Sequence, residues 1–188
     1  MFFDFFIKTS IDINKLKSFN EVVNNLINKK NKIDIFKKST RGKKSIQYDF
    51  NKNKEQLISI EKEILNKLKE IDFKKENLLE INKNYFNFKL ISAWTVLGKE
   101  NSYHEVHRHN ENIKNHLATV LYLNMPKKNN IHQTGDFFCF LRKDSGIEYI
   151  RVNPKQGDLF IMPIQILHGS YPQSKGLRQT LNMDFEVL

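Results

Sequence analysis

His107 and His109 are the first residues in this chain whose type and spacing could do chemistry. In an extended strand, side chains at i and i+2 leave the same face, so an H-x-H pair aims two imidazoles at one point. A metal ion requires that convergence. Alone the pair is a weak signal, since six histidines in 188 residues make a chance H-x-H unsurprising. A third imidazole, His168, follows a candidate strand in QGDLFIMPIQILHGSYP. Three such ligands on one side of an octahedral ion leave three positions open. Non-haem iron sites that admit a cosubstrate and dioxygen are built this way.

Arg178 lies ten residues after His168, and Thr180 two residues further on. Gly169, Lys175 and Gly176 mark a turn between them. Residues 178–187 are therefore expected to run back antiparallel beside the His168 strand. Arg178 and Thr180 would then enter the same cavity, deeper than the metal. A guanidinium fork matches a carboxylate, and a hydroxyl can donate a further hydrogen bond to it. Taken singly, Arg178 reads as a surface ion pair and Thr180 as a packed strand residue. Their joint spacing after His168 singles them out.

The elements that must position these groups change texture near residue 85. Before it, residues 2–8 suggest a strand, and residues 14–28 and 54–71 carry apolar side chains at helical spacing. Residues 29–52 between the helices read as a loop. From residue 85 on, short apolar runs alternate with turn residues. Candidate strands are 85–97, 104–109, 117–124, 136–142, 147–153, 158–164 and 178–187. The predicted fold class is mainly β with N-terminal α-helices, a double-stranded β-helix of jelly-roll, cupin-like form. One domain over 1–188 is expected, with 1–84 as helical support plus a first strand, and 85–188 as the β-helix core.

Composition narrows the function classes. No apolar run approaches the ~20 residues that span a bilayer. The opening MFFDFFIK is broken by Asp4 and has no basic lead, so a buried strand fits it better than a signal peptide. A cytoplasmic protein without membrane attachment is expected. The single cysteine, Cys139, sits in FFCFL as a small buried hydrophobe. Net charge is +10, and residues 29–44 hold eight Lys and Arg against Asp34. Such a cluster could meet nucleic acid or another polyanion. It contains only Phe36 for base stacking, and the chain is rich in Lys, Asn and Ile throughout, so a solvated loop is the simpler reading.

Residues from about 88 to 187 resemble the 2-oxoglutarate/iron(II)-dependent oxygenases, particularly a bacterial and phage subgroup. The resemblance runs through ISAWTVLGKENSYHEVHRH, LATVLYLN, NPKQGDLFIMPIQILHGSYP and GLRQTLNMDF. It implies iron(II) held at His107 and His168, with Arg178 and Thr180 binding the far carboxylate of 2-oxoglutarate. Tyr122 matches a position where a tyrosine helps to hold that cosubstrate. The implied reaction is oxidative decarboxylation of 2-oxoglutarate coupled to hydroxylation of a small-molecule or peptide substrate. His109 departs from the pattern, because most of the family has Asp or Glu there. Three neutral imidazoles leave an iron(II) site at +2, where a carboxylate would leave it at +1.

Two other classes fit parts of the sequence. Cupins also carry H-x-H and a later third histidine, and could act as metal dioxygenases or isomerases without 2-oxoglutarate. The Gly157, Pro163 and His168 spacing follows their second motif, but Ile113 and Lys114 stand where their first motif has Glu, and Arg178 with Thr180 would have no role. A non-catalytic module binding nucleic acid or a partner through the basic region is the third class. Among the remaining histidines, His104 and His116 are possible substrate-facing residues and His132 is a loop residue. Trp94 is expected in the core.

Overall fold

The computed structural model describes residues 4–28, 35–36, 45–71, 73, 87–109, 115–127 and 133–188. In chain order these form β1 (Ile7–Ser10), α1 (Ile13–Asn28), β2 (Ile35–Phe36) and β3 (Ile46–Asp49). A 3₁₀ turn (Asn51–Leu57) and α2 (Ile58–Lys69) follow. The rest is β4 (Phe88–Gly98), β5 (His104–His107), β6 (His116–Asn124), β7 (Phe137–Lys143), β8 (Gly146–Val152), β9 (Asp158–Pro163), β10 (Leu167–Ser170) and β11 (Arg178–Val187). Among the described residues no helix is long and apolar enough to cross a membrane.

Each helix buries one stripe. In α1 this is Leu16, Phe19, Val23 and Leu26, and in α2 it is Ile60, Ile64 and Leu68. Asp12 caps α1, its Oδ1 accepting the Asn14 N–H at 2.8 Å. The second helix starts later than its periodicity predicts, because Asn53 (φ −132°, ψ 22°) interrupts the winding. The neighbouring Asn51 instead uses its side-chain oxygen to accept the Ala93 N–H of β4 at 3.1 Å.

The strands form a seven-stranded sheet, β1-β9-β6-β11-β4-β3-β2, and a four-stranded sheet, β5-β10-β7-β8. Their pairings are antiparallel. Strand periodicity sorts the larger sheet's side chains into two cores. Leu117, Leu121 and Leu123 of β6, Leu159 and Ile161 of β9, and Leu181, Met183 and Phe185 of β11 pack with the helices. Ala118, Val120 and Tyr122 of β6, with Phe160 and Met162 of β9, meet Phe137, Cys139 and Leu141 of β7. That second core lies between the sheets and gives the double-stranded β-helix its interior. Cys139 is fully buried there, and burial pushes its thiol up to about 12.

Leu121 touches the helical side only, so it tests that core separately from the cavity. Leu121→Ala should cost about 2–5 kcal/mol of stability in chemical denaturation, without changing the metal affinity of the folded protein. An unchanged denaturation midpoint would contradict this packing.

Three expectations need correction. The expected strand 2–8 begins outside the described residues, and among them the first strand spans Ile7–Ser10; within 4–8, Phe5 packs with the helical core while Phe6 stacks on Phe137 between the sheets at 5.4 Å. Rings sent to opposite cores hold this segment in place before it joins the sheet. The predicted loop 29–52 contains β3, which pairs along Trp94–Leu97 of β4, and β2, which pairs with β3. These short strands gain their stability from an open sheet edge, which local sequence does not display. The remainder of the basic cluster lies outside the described residues. Finally, β11 does not run beside the His168 strand: β10 pairs with β5 and β7, whereas β11 pairs with β4 and β6. The intervening turn crosses from one sheet to the other. Fully buried Gln173 holds it, donating to the Gly98 and Gly176 carbonyls at 3.0 and 3.1 Å.

Candidate metal centre and its cavity

The antiparallel register of β5 and β10 sets His107 directly opposite His168. Gly169 makes that approach possible, because a Cβ there would lie 2.8 Å from the His104 carbonyl oxygen and 2.7 Å from the Phe138 ring. The predicted strand 104–109 ends at His107. His109 reaches the same point from beyond the strand end, anchored by its N–H to the Ile164 carbonyl at 3.1 Å. The H-x-H pair therefore converges through a turn out of the strand and not through strand parity alone. One nitrogen from each of His107, His109 and His168 lies within 4.8 Å of the others.

The other nitrogen of each ring is already engaged. Nδ1 of His107 faces the Glu105 carbonyl at 2.8 Å, and Nδ1 of His168 faces the Ile166 carbonyl at 2.9 Å. Nδ1 of His109 faces Oδ1 of Asp184 at 2.7 Å. Two carbonyl oxygens and a carboxylate offer no proton, so each Nδ1 must donate. Each Nε2 then keeps its lone pair, the form in which imidazole binds a metal. Burial, reinforced by the neighbouring His109 and His107, holds His168 well below the usual histidine range and so neutral. A divalent ion with metal–nitrogen bonds of about 2.0–2.1 Å suits this donor set once the rings turn inward.

These three rings line a cavity open to solvent. Arg178, Thr180 and Tyr122 line it too, joined by Trp94, His104 and Asn182. The cavity thus unites the metal candidates and the carboxylate candidates although they stand on opposite sheets. Nη1 of Arg178 donates to Ser170 Oγ on β10 at 2.8 Å, bridging the sheets. Arg178 sits opposite Gly98 in the register. A Cβ at Gly98 would collide with Ser102 Oγ and lie 2.7 Å from Gln173 Oε1, so only glycine fits behind the guanidinium. Among the described residues no carboxylate pairs with Arg178, which is 3% exposed. Burial lowers its pKa, opposing the charge it carries. Thr180 Oγ1 accepts from Asn182 Nδ2 at 3.3 Å, leaving its own O–H to donate into the cavity. Burial raises the Tyr122 phenol well above its ordinary value, with Arg178 pulling in the opposite direction.

His104 Nε2 accepts a hydrogen bond from Gln47 Nε2 at 2.8 Å, and its ring meets His107 edge-on at 4.5 Å. His116 is not among the residues lining the cavity; it opens β6, its Nδ1 buried without a hydrogen-bond partner among the described residues. His132 lies outside the described residues. Trp94, expected in the core, lines the cavity and stands edge-on to His109 at 4.8 Å. Sequence reasoning missed Asp184, Asn182 and Ser170. For the first two a signal existed. Arg178, Thr180, Asn182 and Asp184 alternate with Leu181, Met183 and Phe185 along one strand, so a polar face continues past the R-x-T pair.

No protein-family model and no curated protein sequence matches the chain. Solved structures do. AviO1 from Streptomyces viridochromogenes is 13% identical, with a TM-score of 0.67 over 98% of this chain and 90% of its own. The non-heme alpha-ketoglutarate-dependent carbocyclase SnoK from nogalamycin biosynthesis is 10% identical, with a TM-score of 0.68 over 96% of this chain and 79% of its own. A prolyl hydroxylase from Trichoplax adhaerens, solved with a hypoxia-inducible-factor peptide, is 11% identical, with a TM-score of 0.67 over 96% and 83%. Likeness at this level of identity speaks for architecture: the chain has the double-stranded β-helix fold found in 2-oxoglutarate oxygenases.

Proposed function

We propose that this protein is a non-haem iron(II)- and 2-oxoglutarate-dependent oxygenase whose metal ligands are His107, His109 and His168. The observation that carries this reading is the meeting of two groups in one cavity. Three imidazoles converge as a cation site would require, and a buried guanidinium with no carboxylate partner among the described residues calls for an anion. A metal-chelating acid whose second carboxylate reaches deeper meets both demands at once. Iron(II) with 2-oxoglutarate, when bound, would supply dioxygen activation and the oxidising power released by decarboxylation to succinate and CO₂.

The chain's own residues do the positioning. Arg178, held by Ser170, and the Thr180 hydroxyl, held by Asn182, would grip the far carboxylate, with Tyr122 beside them. Trp94 and Phe137 wall the metal side with apolar rings, which limits water. His104, which lines the cavity beside His107, is proposed to face the substrate, whereas His116 lies outside that lining. The substrate class is a small molecule or a peptide. The three-histidine cupin alternative uses the same metal ligands but leaves Arg178 buried to no purpose, and so fits the cavity less well.

The experiment is anaerobic addition of iron(II) and 2-oxoglutarate to the purified protein. A weak visible charge-transfer band is expected only when both are present, followed by succinate formation on exposure to air. Metal binding without that band, together with turnover independent of 2-oxoglutarate, would replace this reading with the cupin type.

A further inference from the structure

Asp184 has no Lys or Arg partner among the described residues, although its side chain is only 12% exposed. Its neighbours are two hydrogen-bond donors, His109 Nδ1 at 2.7 Å and Ser92 Oγ at 3.0 Å. Among the described residues no Lys or Arg offsets the buried carboxylate there. Burying an unpaired charge is costly, so a compensating cation is to be sought nearby. The Asp184 carboxylate faces the cavity's metal candidates through the His109 imidazole, whose Nε2 is the position such a cation would take.

The structure assigns Asp184 as the positioning residue that makes His109 work as a metal ligand and supplies the negative charge its imidazole lacks. Two physical effects combine. A carboxylate acceptor at 2.7 Å holds the proton on Nδ1, which fixes both the ring plane and the lone pair at Nε2. The same carboxylate places a formal charge one imidazole away from the ion. With three neutral imidazoles a divalent ion would remain at +2; Asp184 brings the charge of the local group to +1. Ser92, on the adjacent β4, donates to the second carboxylate oxygen and keeps the first aimed at His109. Asp184 is therefore not a ligand itself, and the three-histidine group lies in front of it.

This assignment rests on the metal half of the proposed function and not on 2-oxoglutarate. Its test uses the metal-free protein and cobalt(II), with affinity read by competition with a chelating dye and geometry by visible absorption. Asp184→Asn keeps an oxygen that can accept from Nδ1 but removes the charge; Asp184→Ala removes both. Affinity should fall roughly 10–100-fold in Asp184→Asn and further in Asp184→Ala, with Ser92→Ala intermediate between wild type and Asp184→Asn. In the metal-free protein, the His109 Nδ1–H resonance should persist in Asp184→Asn and broaden or vanish in Asp184→Ala, a readout that a loss of packing alone would not order in this way. Wild-type affinity in a folded Asp184→Asn variant would overturn the assignment while leaving the metal site standing. Failure of the wild type to bind cobalt(II) at all would overturn both.

Discussion

Arg178→Met should weaken 2-oxoglutarate binding by about 2–5 kcal/mol, roughly 30- to 4,000-fold, while leaving the ligand-free protein as stable as before or more stable. The two halves of this result have one cause. Arg178 is a cation buried at 3% exposure, bonded to a neutral serine and lacking a carboxylate partner among the described residues. In the free protein its desolvation is poorly compensated, and methionine, of similar length, fills the same space without that cost. In the liganded protein the guanidinium would face a carboxylate in a dry cavity, where truncation of one member of a charge pair is expensive. Thermal unfolding without ligand, and 2-oxoglutarate titration of the metal-loaded protein, separate the two. A variant that loses stability and keeps its affinity would show Arg178 to be structural.

His168→Ala should reduce metal affinity by more than the roughly 10–100-fold that the loss of an outer hydrogen-bond partner costs. His168 is the most buried of the three candidate ligands, flanked by the Phe137 ring at 5.7 Å and opposite Cys139 in the register. Its neutral state and its Nδ1 bond to the Ile166 carbonyl leave Nε2 with no other evident use. Two remaining imidazoles cannot surround one side of an ion. Cobalt(II) titration with a chelating dye reads the loss, and far-ultraviolet circular dichroism of the metal-free variant checks that the sheet persists. Affinity equal to wild type would exclude His168 as a ligand, and with it the proposed centre.

Both variants concern residues that the sequence itself singled out, and the reason is local. His107 and His109 are two residues apart, and Arg178 and Thr180 share strand parity, so short-range spacing is enough to mark them. Most strands of the β-helix were legible for the same reason, but β10 (Leu167–Ser170), which carries His168, was not among the candidate strands because it is only four residues long. In β6, alternate side chains go to different cores, yet the run LATVLYLN is apolar at all but Thr119 and Asn124 because both faces are buried. Helix α1 was legible from its stripe. The short strands β2 and β3 were not, since their pairing depends on the exposed edge of β4 and not on any pattern of their own.

What the chain's order alone determined, then, is the set of reactive groups and the alternation that keeps each on an inward face. Tertiary structure decided how those faces meet. The turn after β10 carries the chain from the smaller sheet to the larger, so Arg178 approaches the histidines across the cavity and bonds to Ser170 on the opposite wall. The same crossing brings Asp184, 75 residues from His109 in the chain, to 2.7 Å from its ring. Partnerships of that kind depend on which strands become neighbours. Neighbours are selected by the burial of two entire sheet faces, a property of the assembled molecule and not of any one segment.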